Sequence, residues 1–126
     1  MNIPDNLLFT QDHEWILLED GLASVGITEF AQGELGDVVF VEIETVGETL
    51  EKGEIFGTVE AVKTVSDLFM PVSGEVIEVN TELADKPELV NKDPFGKGWM
   101  IRIKVTDKNE LAGLLSPSDY RKMIEG

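Results

Sequence analysis

Hydrophobic residues recur along this chain in short alternating runs, which are typical of half-buried β-strands rather than of long helices. The runs predict strands at residues 14–18, 22–27, 38–43, 54–61, 64–70, 75–79 and 99–105. In the last run Trp99, Ile101, Ile103 and Val105 share one face, which we expect to belong to the core. Turns marked by glycine and proline separate the runs, and their spacing indicates a small sandwich or barrel.

A short helix is predicted between the strands at 22–27 and 38–43. Thr28 is a favourable N-cap residue, and apolar residues follow it at helical spacing. Either Gly33 or Gly36 can end the helix, because glycine readily adopts the backbone conformations found at helix C-termini. We therefore expect one or two turns of helix here.

The chain changes character from about residue 107. Asp107 and Glu110 have the spacing of a capping box, and Ser116 is followed by a proline, as at the start of many helices. Two short helices are therefore expected. The apolar residues that should pack the second helix onto the sheets are Tyr120, Met123 and Ile124. Residues 1–126 are interpreted as a single domain with a C-terminal helical extension from about residue 107.

Composition favours one globular domain and excludes several classes of function. The chain has 126 residues, of which 42% are hydrophobic. Its 10 basic and 25 acidic residues give a net charge of −15, so we expect neither a nucleic-acid nor a membrane partner. The absence of cysteine excludes thiol catalysis and disulfides. No apolar run could span a bilayer and no signal-peptide pattern is present, so a cytoplasmic location is expected.

Few residues offer catalytic or metal-binding chemistry. The single histidine, His13, has no nucleophile or orienting acid at a recognisable spacing, and we expect it to be a loop residue. The sequence contains neither an acidic calcium-loop pattern nor a glycine-rich phosphate-binding pattern. We therefore expect no metal site and no independent enzyme activity.

One lysine separates two β-prone runs near the middle of the chain. If the runs at 54–61 and 64–70 pair as a hairpin, Lys63 lies at its tip, because a strand interior does not readily accommodate the charge. Taken alone, the lysine is best interpreted as an ordinary solubilising residue. The surroundings alter that interpretation: Gly47 lies 16 residues before Lys63, Glu60 three before it and Gly74 11 after it.

This arrangement resembles the biotinyl and lipoyl carrier proteins, which present a modifiable lysine on a tight hairpin. Val62 and Thr64 flank the lysine where biotin carriers typically have methionine, so the resemblance favours lipoate. Over about residues 6–120 the chain is similar to the H proteins of the glycine cleavage system. The matching segments are Asp12-His13-Glu14-Trp15, Gly26-Ile27-Thr28, residues 35–41, 59–63 and 71–76, Val79-Asn80, and Gly98-Trp99-Met100.

The resemblance implies a mainly β, flattened hybrid barrel or sandwich with short helices, two of them at the C-terminus. It also implies a non-catalytic carrier with lipoate in amide linkage to Lys63, on a strained turn. Glu60, Val62 and Thr64 complete the attachment hairpin, and Glu60 with the turn geometry is a candidate recognition feature. The implied partners are the PLP-dependent glycine decarboxylase, the tetrahydrofolate-dependent aminomethyltransferase, the FAD-containing dihydrolipoyl dehydrogenase and a lipoate-attaching enzyme.

In this family the loaded arm folds into a surface cleft of the carrier. The matching positions are Glu14, Ile27 and Asp67, with Asp12 and Glu34 at the rim. A carboxylate can bind the cationic amine by a charge-assisted hydrogen bond, and Ile27 can cover the apolar chain. Any single carboxylate in so acidic a chain is more often a solvated surface group. Glu34 also stands where many family members have histidine, which changes the charge at the rim.

Two other functions are compatible with the sequence, of which only the first requires Lys63. A lipoate-relay protein would donate its lipoyl group to the carrier domains of 2-oxo acid dehydrogenases. A degenerate carrier would act only as a protein-binding module, and a Lys63→Arg variant would then keep full activity.

Overall fold

The chain folds into two antiparallel β-sheets, and the computed structural model describes residues 2–125. The strands are β1 Leu8–Phe9, β2 Glu14–Glu19, β3 Leu22–Ile27, β4 Val38–Glu42, β5 Thr49–Leu50, β6 Ile55–Ala61, β7 Val65–Phe69, β8 Gly74–Val79 and β9 Ile101–Val105. The helices are α1 Glu29–Leu35, α2 Glu82–Asp85, α3 Leu89–Lys92 and α4 Pro117–Glu125, with a 3₁₀ helix at Lys108–Gly113. None of the helices in this range is long and apolar enough to cross a membrane.

The two sheets differ in size and in what they contribute. The larger has the strand order β1-β2-β3-β9-β8-β5, and the smaller has the order β4-β6-β7. The two sheets enclose a common core that includes Phe56 and Val59 from β6 and Ile101 and Ile103 from β9, all at most 1% exposed. The predicted mainly β, flattened barrel or sandwich is confirmed.

A second, smaller core lies at one end of the larger sheet. Phe9 and the Tyr120 ring of α4 stack with their centroids 4.6 Å apart, and Trp15 is buried in the same cluster. The Trp15 indole N–H donates to the carbonyl of Pro94 at 2.9 Å. This cluster fixes the C-terminal helix to the first strands, because burial of large aromatic rings is strongly favourable.

The predicted hairpin between β2 and β3 is confirmed. Glu19 pairs with Leu22, which leaves Asp20 and Gly21 as a two-residue loop. Their φ angles of 52° and 83° are those of a turn whose twist matches the flanking strands. Aspartate and glycine are among the residues that tolerate such angles.

The helix predicted after Thr28 is also confirmed. The Thr28 hydroxyl accepts a hydrogen bond from the Ala31 amide at 3.2 Å, as expected of an N-cap. The helix runs through Gly33 and ends at Gly36, where φ is 82° and ψ is −156°. Glycine is the residue that adopts this region of backbone space without strain.

Several elements were not predicted because they are very short. Strands β1 and β5 have two residues each, and helices α2 and α3 have four residues each and no side-chain N-cap. Elements this short hold little more than one period of their pattern, so packing against the rest of the chain decides the conformation.

The C-terminal prediction was correct for the second helix and wrong in parts for the first. Ser116 caps α4 by accepting from the Asp119 amide at 3.1 Å. The segment after Asp107 is a 3₁₀ helix, and the Glu110 carboxylate accepts from the amide and hydroxyl of Ser73 instead of completing a capping box.

Two apolar positions were also predicted wrongly. Met123 is 38% exposed, although Tyr120 and Ile124 pack inward as expected. Trp99 precedes β9 and packs in the smaller core, with the Arg102 guanidinium 4.2 Å from the centre of its ring. At Trp99, the contacts with the smaller core and with Arg102 set the side chain's surroundings, rather than the local period.

Candidate functional site

Lys63 lies at the tip of the β6–β7 hairpin, as the sequence predicted. Glu60 pairs with Val65, and the Ala61 amide donates to the Thr64 carbonyl at 2.8 Å, so Val62 and Lys63 form the loop. Neither residue has a positive φ. The expected strain is therefore absent from the turn, and the lysine is presented by an ordinary backbone conformation.

The hairpin is attached to the rest of the molecule through the segment between α1 and β4. The Val62 amide donates to the carbonyl of Asp37 at 3.0 Å. The Asn91 side chain of α3 fixes this segment from the other side, accepting from the Val38 amide and donating to the Gly36 carbonyl at 2.9 and 2.8 Å. Sequence reasoning missed Asn91, because its partners lie 53 and 55 residues away.

The Lys63 side chain is exposed and extends across Gly36. A Cβ atom added at Gly36 would lie 3.4 Å from Cε and 3.9 Å from Nζ of Lys63. Within residues 2–125 the ion pairs are Arg102–Glu78 and Arg121–Glu125, so Lys63 has no carboxylate partner there. Its amine is therefore accessible to another molecule.

A cavity of about 250 Å³ opens beside α1. Its lining includes Glu14, Ile27 and Asp67, together with Asp12 and Glu34. The candidate pocket and rim residues thus lie together, although they come from β2, β3, β7, α1 and the turn before β2. Leu35, which also lines this cavity, is followed by Gly36, the residue that Lys63 crosses.

The candidate residues of the attachment hairpin lie outside the cavity lining. Glu60, Val62 and Thr64 are exposed near Lys63 instead. Glu60 therefore faces solvent on the outer face of the smaller sheet, where another protein can reach it. The hairpin and the cavity are two separate parts of the candidate site.

Glu14 is a buried carboxyl group that lines the cavity. It is 2% exposed and accepts hydrogen bonds from the Phe69 amide at 2.8 Å and the Thr10 hydroxyl at 3.3 Å. Burial raises its pKa to about 8, an effect that the Phe69 hydrogen bond reduces and the nearby Asp12 charge increases. Glu14 is therefore mostly protonated at neutral pH in the folded chain.

His13 lies in the loop before β2, as predicted, and it also lines the same cavity. Its φ of 65° turns the ring onto Phe30 of α1, with centroids 4.6 Å apart. Nδ1 lies 2.9 Å from the Tyr120 hydroxyl, which lies 2.7 Å from the Thr28 hydroxyl. Desolvation lowers the pKa of His13, against the opposing charges of Asp12 and Glu34. The sequence offered no signal of this, because Tyr120 is 107 residues away.

Comparisons with known proteins agree across the whole chain. A profile described as Glycine cleavage H-protein matches residues 7–126. The chain is 55% identical over 126 residues to the glycine cleavage system H protein of Bacteroides thetaiotaomicron, with all of both chains covered. It is 59% identical to that of Chlorobium limicola, with 98% of each chain covered.

A solved structure shows the same agreement in three dimensions. The crystal structure of a glycine cleavage system H protein from Mycobacterium marinum superposes with a TM-score of 0.87 at 41% identity. The match covers 98% of this chain and 100% of that one. Matched in sequence over nearly its full length and in fold over the same extent, the chain belongs to the glycine cleavage H-protein family.

Proposed function

We propose that Lys63 carries lipoate in amide linkage and that the chain shuttles an aminomethyl group between the enzymes of the glycine cleavage system. Membership of the H-protein family supports the carrier role and lipoate as the cofactor. Held on Lys63, lipoate would supply a disulfide able to accept an aminomethyl group derived from glycine. The chain itself contributes attachment, orientation and shelter.

One observation carries the choice of Lys63. Its amine is exposed, has no ion-pair partner in residues 2–125, and lies at the tip of a hairpin fixed by hydrogen bonds at both ends. An exposed amine on a rigid support is accessible to an attaching enzyme, and a long flexible arm attached there can reach several active sites at high effective concentration.

The cavity beside α1 fits the role of a shelter for the loaded arm. Ile27 and Leu35 supply apolar lining, and the carboxyl groups of Glu14 and Asp67 supply acceptors for a cationic amine. Because Glu14 is mainly protonated, it is a neutral acid and not a carboxylate anion before a cation binds. A cation nearby lowers the pKa of a carboxyl group, so Glu14 would release its proton to solvent as it binds the amine.

The partner reactions follow from this role. A PLP-dependent glycine decarboxylase supplies the aminomethyl group, a tetrahydrofolate-dependent aminomethyltransferase removes it, and an FAD-containing dihydrolipoyl dehydrogenase reoxidises the arm. The chain takes part as a non-catalytic carrier. A lipoate-attaching enzyme must modify Lys63 beforehand.

Intact-mass spectrometry of the protein from cells degrading glycine tests the attachment. We expect the mass increase of one amide-linked lipoyl group, mapped by peptide analysis to Lys63. Lys63→Arg should remove the increase, and Lys52→Arg, which replaces another exposed lysine, should leave it intact. A wild-type protein that stays unmodified would overturn the proposal.

A functional assay separates this role from lipoate relay. Modified protein mixed with the decarboxylase should support exchange between glycine and bicarbonate, and Lys63→Arg should not. Transfer of the lipoyl group to a dehydrogenase carrier domain, without glycine-dependent exchange, would identify a relay protein instead.

Replacing Glu14 tests the cavity as the shelter. Glu14→Gln keeps the shape and, through its amide oxygen, the hydrogen bond from the Phe69 amide, but it cannot become an anion. The aminomethyl-loaded form should therefore decay faster, by about tenfold for the loss of a charge-assisted hydrogen bond. Its lifetime should also lose the increase between pH 6 and 8 that ionisation of Glu14 produces in the wild type. Glu19→Gln, at the distant β2–β3 turn, is the control. Equal lifetimes for Glu14→Gln and the control would remove Glu14 from this role.

A further inference from the structure

The ring of His13 is a fixed part of the cavity wall. One side of it packs on Phe30 of α1, with ring centroids 4.6 Å apart, and Tyr120 of α4 meets it edge-on at 5.7 Å. The backbone of His13 has a φ of 65°, a conformation that few residues other than glycine adopt. Two helices and an uncommon backbone conformation therefore set the position of this ring.

A series of buried hydrogen bonds ends on the Nδ1 atom of His13. Nδ1 lies 2.9 Å from the Tyr120 hydroxyl, and that hydroxyl lies 2.7 Å from the Thr28 hydroxyl. The Thr28 oxygen also accepts from the Ala31 amide as the N-cap of α1. Tyr120 and Thr28 are each 1% exposed, so both hydroxyl groups depend on these protein partners for their hydrogen bonds.

One direction of hydrogen bonding satisfies every hydrogen in this series. If Thr28 donates to Tyr120 and Tyr120 donates to His13, Nδ1 is an acceptor and the proton of the neutral ring is on Nε2. In the opposite direction Tyr120 donates to Thr28, and the Thr28 hydrogen then has no acceptor among residues 2–125. A buried hydroxyl without an acceptor is costly, so the first direction is favoured.

The Nε2 atom is what the ring offers to a ligand. It has no hydrogen-bond partner within residues 2–125, and no buried side-chain nitrogen or oxygen there lacks one, so Nε2 is accessible. Desolvation lowers the pKa of His13 against the opposing charges of Asp12 and Glu34, so the ring is neutral at neutral pH. The ring therefore presents an uncharged N–H donor.

This donor stands among carboxyl groups. Asp12, Glu14, Glu34 and Asp67 line the same cavity, and none of them forms an ion pair with His13. Carboxyl groups suit the cationic amine of a loaded arm, whereas an N–H donor does not, because an ammonium group has no acceptor. The sulfur atoms of the arm do accept hydrogen bonds, weakly as thiol or thioether and more strongly as thiolate.

We infer that His13 binds a sulfur atom of the reduced arm through its Nε2–H group, and that Tyr120 and Thr28 are positioning residues that keep the proton on Nε2. The inference rests on the proposed lipoate at Lys63 and deepens the shelter role of the cavity. A hydrogen bond from Nε2 favours the charged form of a thiol, so removing it should raise the pKa of that thiol.

The first test uses the unmodified full-length chain without an affinity tag. His13 is its single histidine, so labelling histidine with ¹⁵N gives two ring signals that need no further assignment to a residue. We expect a protonated Nε2 and a hydrogen-bonded, unprotonated Nδ1 at neutral pH. In Tyr120→Phe, which keeps the aromatic stack on Phe9, the Nδ1 signal should move to that of a nitrogen without a partner. A proton on Nδ1 in the wild type would overturn the inference.

The second test measures the thiols of the modified chain. Lipoate on Lys63 is confirmed by mass, the arm is reduced with a phosphine, and thiolate absorbance is followed against pH. His13→Asn and Tyr120→Phe should each raise the pKa of one arm thiol by about 0.5 to 1, for the loss of a hydrogen bond to the thiolate. Asparagine is chosen because it tolerates a positive φ.

Ser116→Ala is the matched control, because it removes the N-cap of α4 and leaves the hydrogen bonds of Tyr120 in place. It should weaken the helix without changing the pKa of the thiols. Circular dichroism and urea unfolding check that every variant is folded, and His13→Asn maintains the test if Tyr120→Phe unfolds. In the wild type, reduction of the arm should move the Nε2 signal and leave the Nδ1 signal where it was.

The outcomes separate this inference from the proposed function. Equal thiol pKa values in the wild type, His13→Asn and Tyr120→Phe would refute the role of His13 and leave the carrier function intact. An Nε2 signal that is the same before and after reduction of the arm would do likewise. A wild-type chain that stays unmodified at Lys63 would overturn the proposed function, and the inference would be lost with it.

Discussion

At the scale of single residues, Glu14 is the group whose chemistry depends most on its surroundings. Its carboxyl is 2% exposed and its pKa is raised to about 8, mainly because burial disfavours the charged form. The two hydrogen bonds from Phe69 and Thr10 keep the group in place in either protonation state. The cavity therefore presents a neutral acid, which can become an anion when a cation binds beside it.

This burial predicts a pH-dependent stability. Between pH 5 and 8 the unfolded chain has an ionised Glu14, while the folded chain keeps the proton, so the free energy of unfolding falls as pH rises. The stabilising contribution is complete below the unfolded pKa of 4.5 and is lost as pH rises through about 8. Glu14→Gln has no such proton to lose. Between pH 5 and 8, its free energy of unfolding relative to that of the wild type should therefore increase by up to about 1.4 kcal/mol per pH unit.

Urea unfolding at pH 5, 6, 7 and 8 measures the difference between the two proteins. His13 is present in both, so its own titration cancels in the comparison. Glu19→Gln serves as the control for loss of an exposed carboxyl group. Parallel stability profiles for the wild type and Glu14→Gln would contradict a raised pKa at this position.

At the scale of the elements, helix α1 links the cavity to the β6–β7 hairpin that bears Lys63. Thr28 caps its first turn, and the same hydroxyl contacts Tyr120 of α4 at 2.7 Å. Gly36 ends the helix, is held by Asn91 and lies under the Lys63 side chain. The helix therefore sets where the lysine lies relative to the cavity.

Two glycines of this helix should respond in opposite ways to replacement by alanine. Gly33 lies inside the helix with nothing within 4 Å of an added Cβ, so Gly33→Ala should raise the free energy of unfolding by about 0.5–1 kcal/mol. Gly36 has φ 82° and ψ −156°, so Gly36→Ala should lower it by about 1–3 kcal/mol. Urea denaturation of both variants measures their free energies of unfolding. Equal changes for Gly33→Ala and Gly36→Ala would contradict the assigned end of the helix.

At the scale of the whole molecule, the net charge of −15 acts on every encounter. The chain attracts basic surfaces from a distance, and this long-range attraction raises association rates more than it stabilises the final complex. Dissolved salt screens the attraction over about 8 Å at physiological ionic strength. Apolar contacts act only at short range, so they are largely independent of salt.

The difference between long-range charge attraction and short-range apolar contact predicts how association with partner enzymes depends on ionic strength. The association rate of the chain with glycine decarboxylase, its proposed partner, should fall steeply between 50 and 300 mM NaCl, by about tenfold or more. The dissociation rate should change much less. Stopped-flow measurements over this range provide the test, with sucrose at matched viscosity as the control. An association rate independent of salt would show that net charge does not guide docking.

Local patterns were sufficient for much of the fold. The long strands, the β2–β3 turn, the Thr28 cap and the Ser116 cap involve residues at most six apart, so their signals lie within short segments of sequence. The two-residue strands and four-residue helices were not predictable, because their partners lie elsewhere in the chain. The same limit explains why Glu110 was assigned to a capping box, although it binds Ser73, 37 residues away.

The sequence alone determined that this is an acidic, mainly β chain with Lys63 at a hairpin tip, because alternation, turn residues and charge are local or additive properties. Tertiary structure alone decided that Glu14 is buried, that His13 meets Tyr120, and that a bulge exposes Phe40. These properties depend on desolvation and contacts between segments distant in the chain. No local pattern encodes them, because they arise only when the sheets and helices pack together.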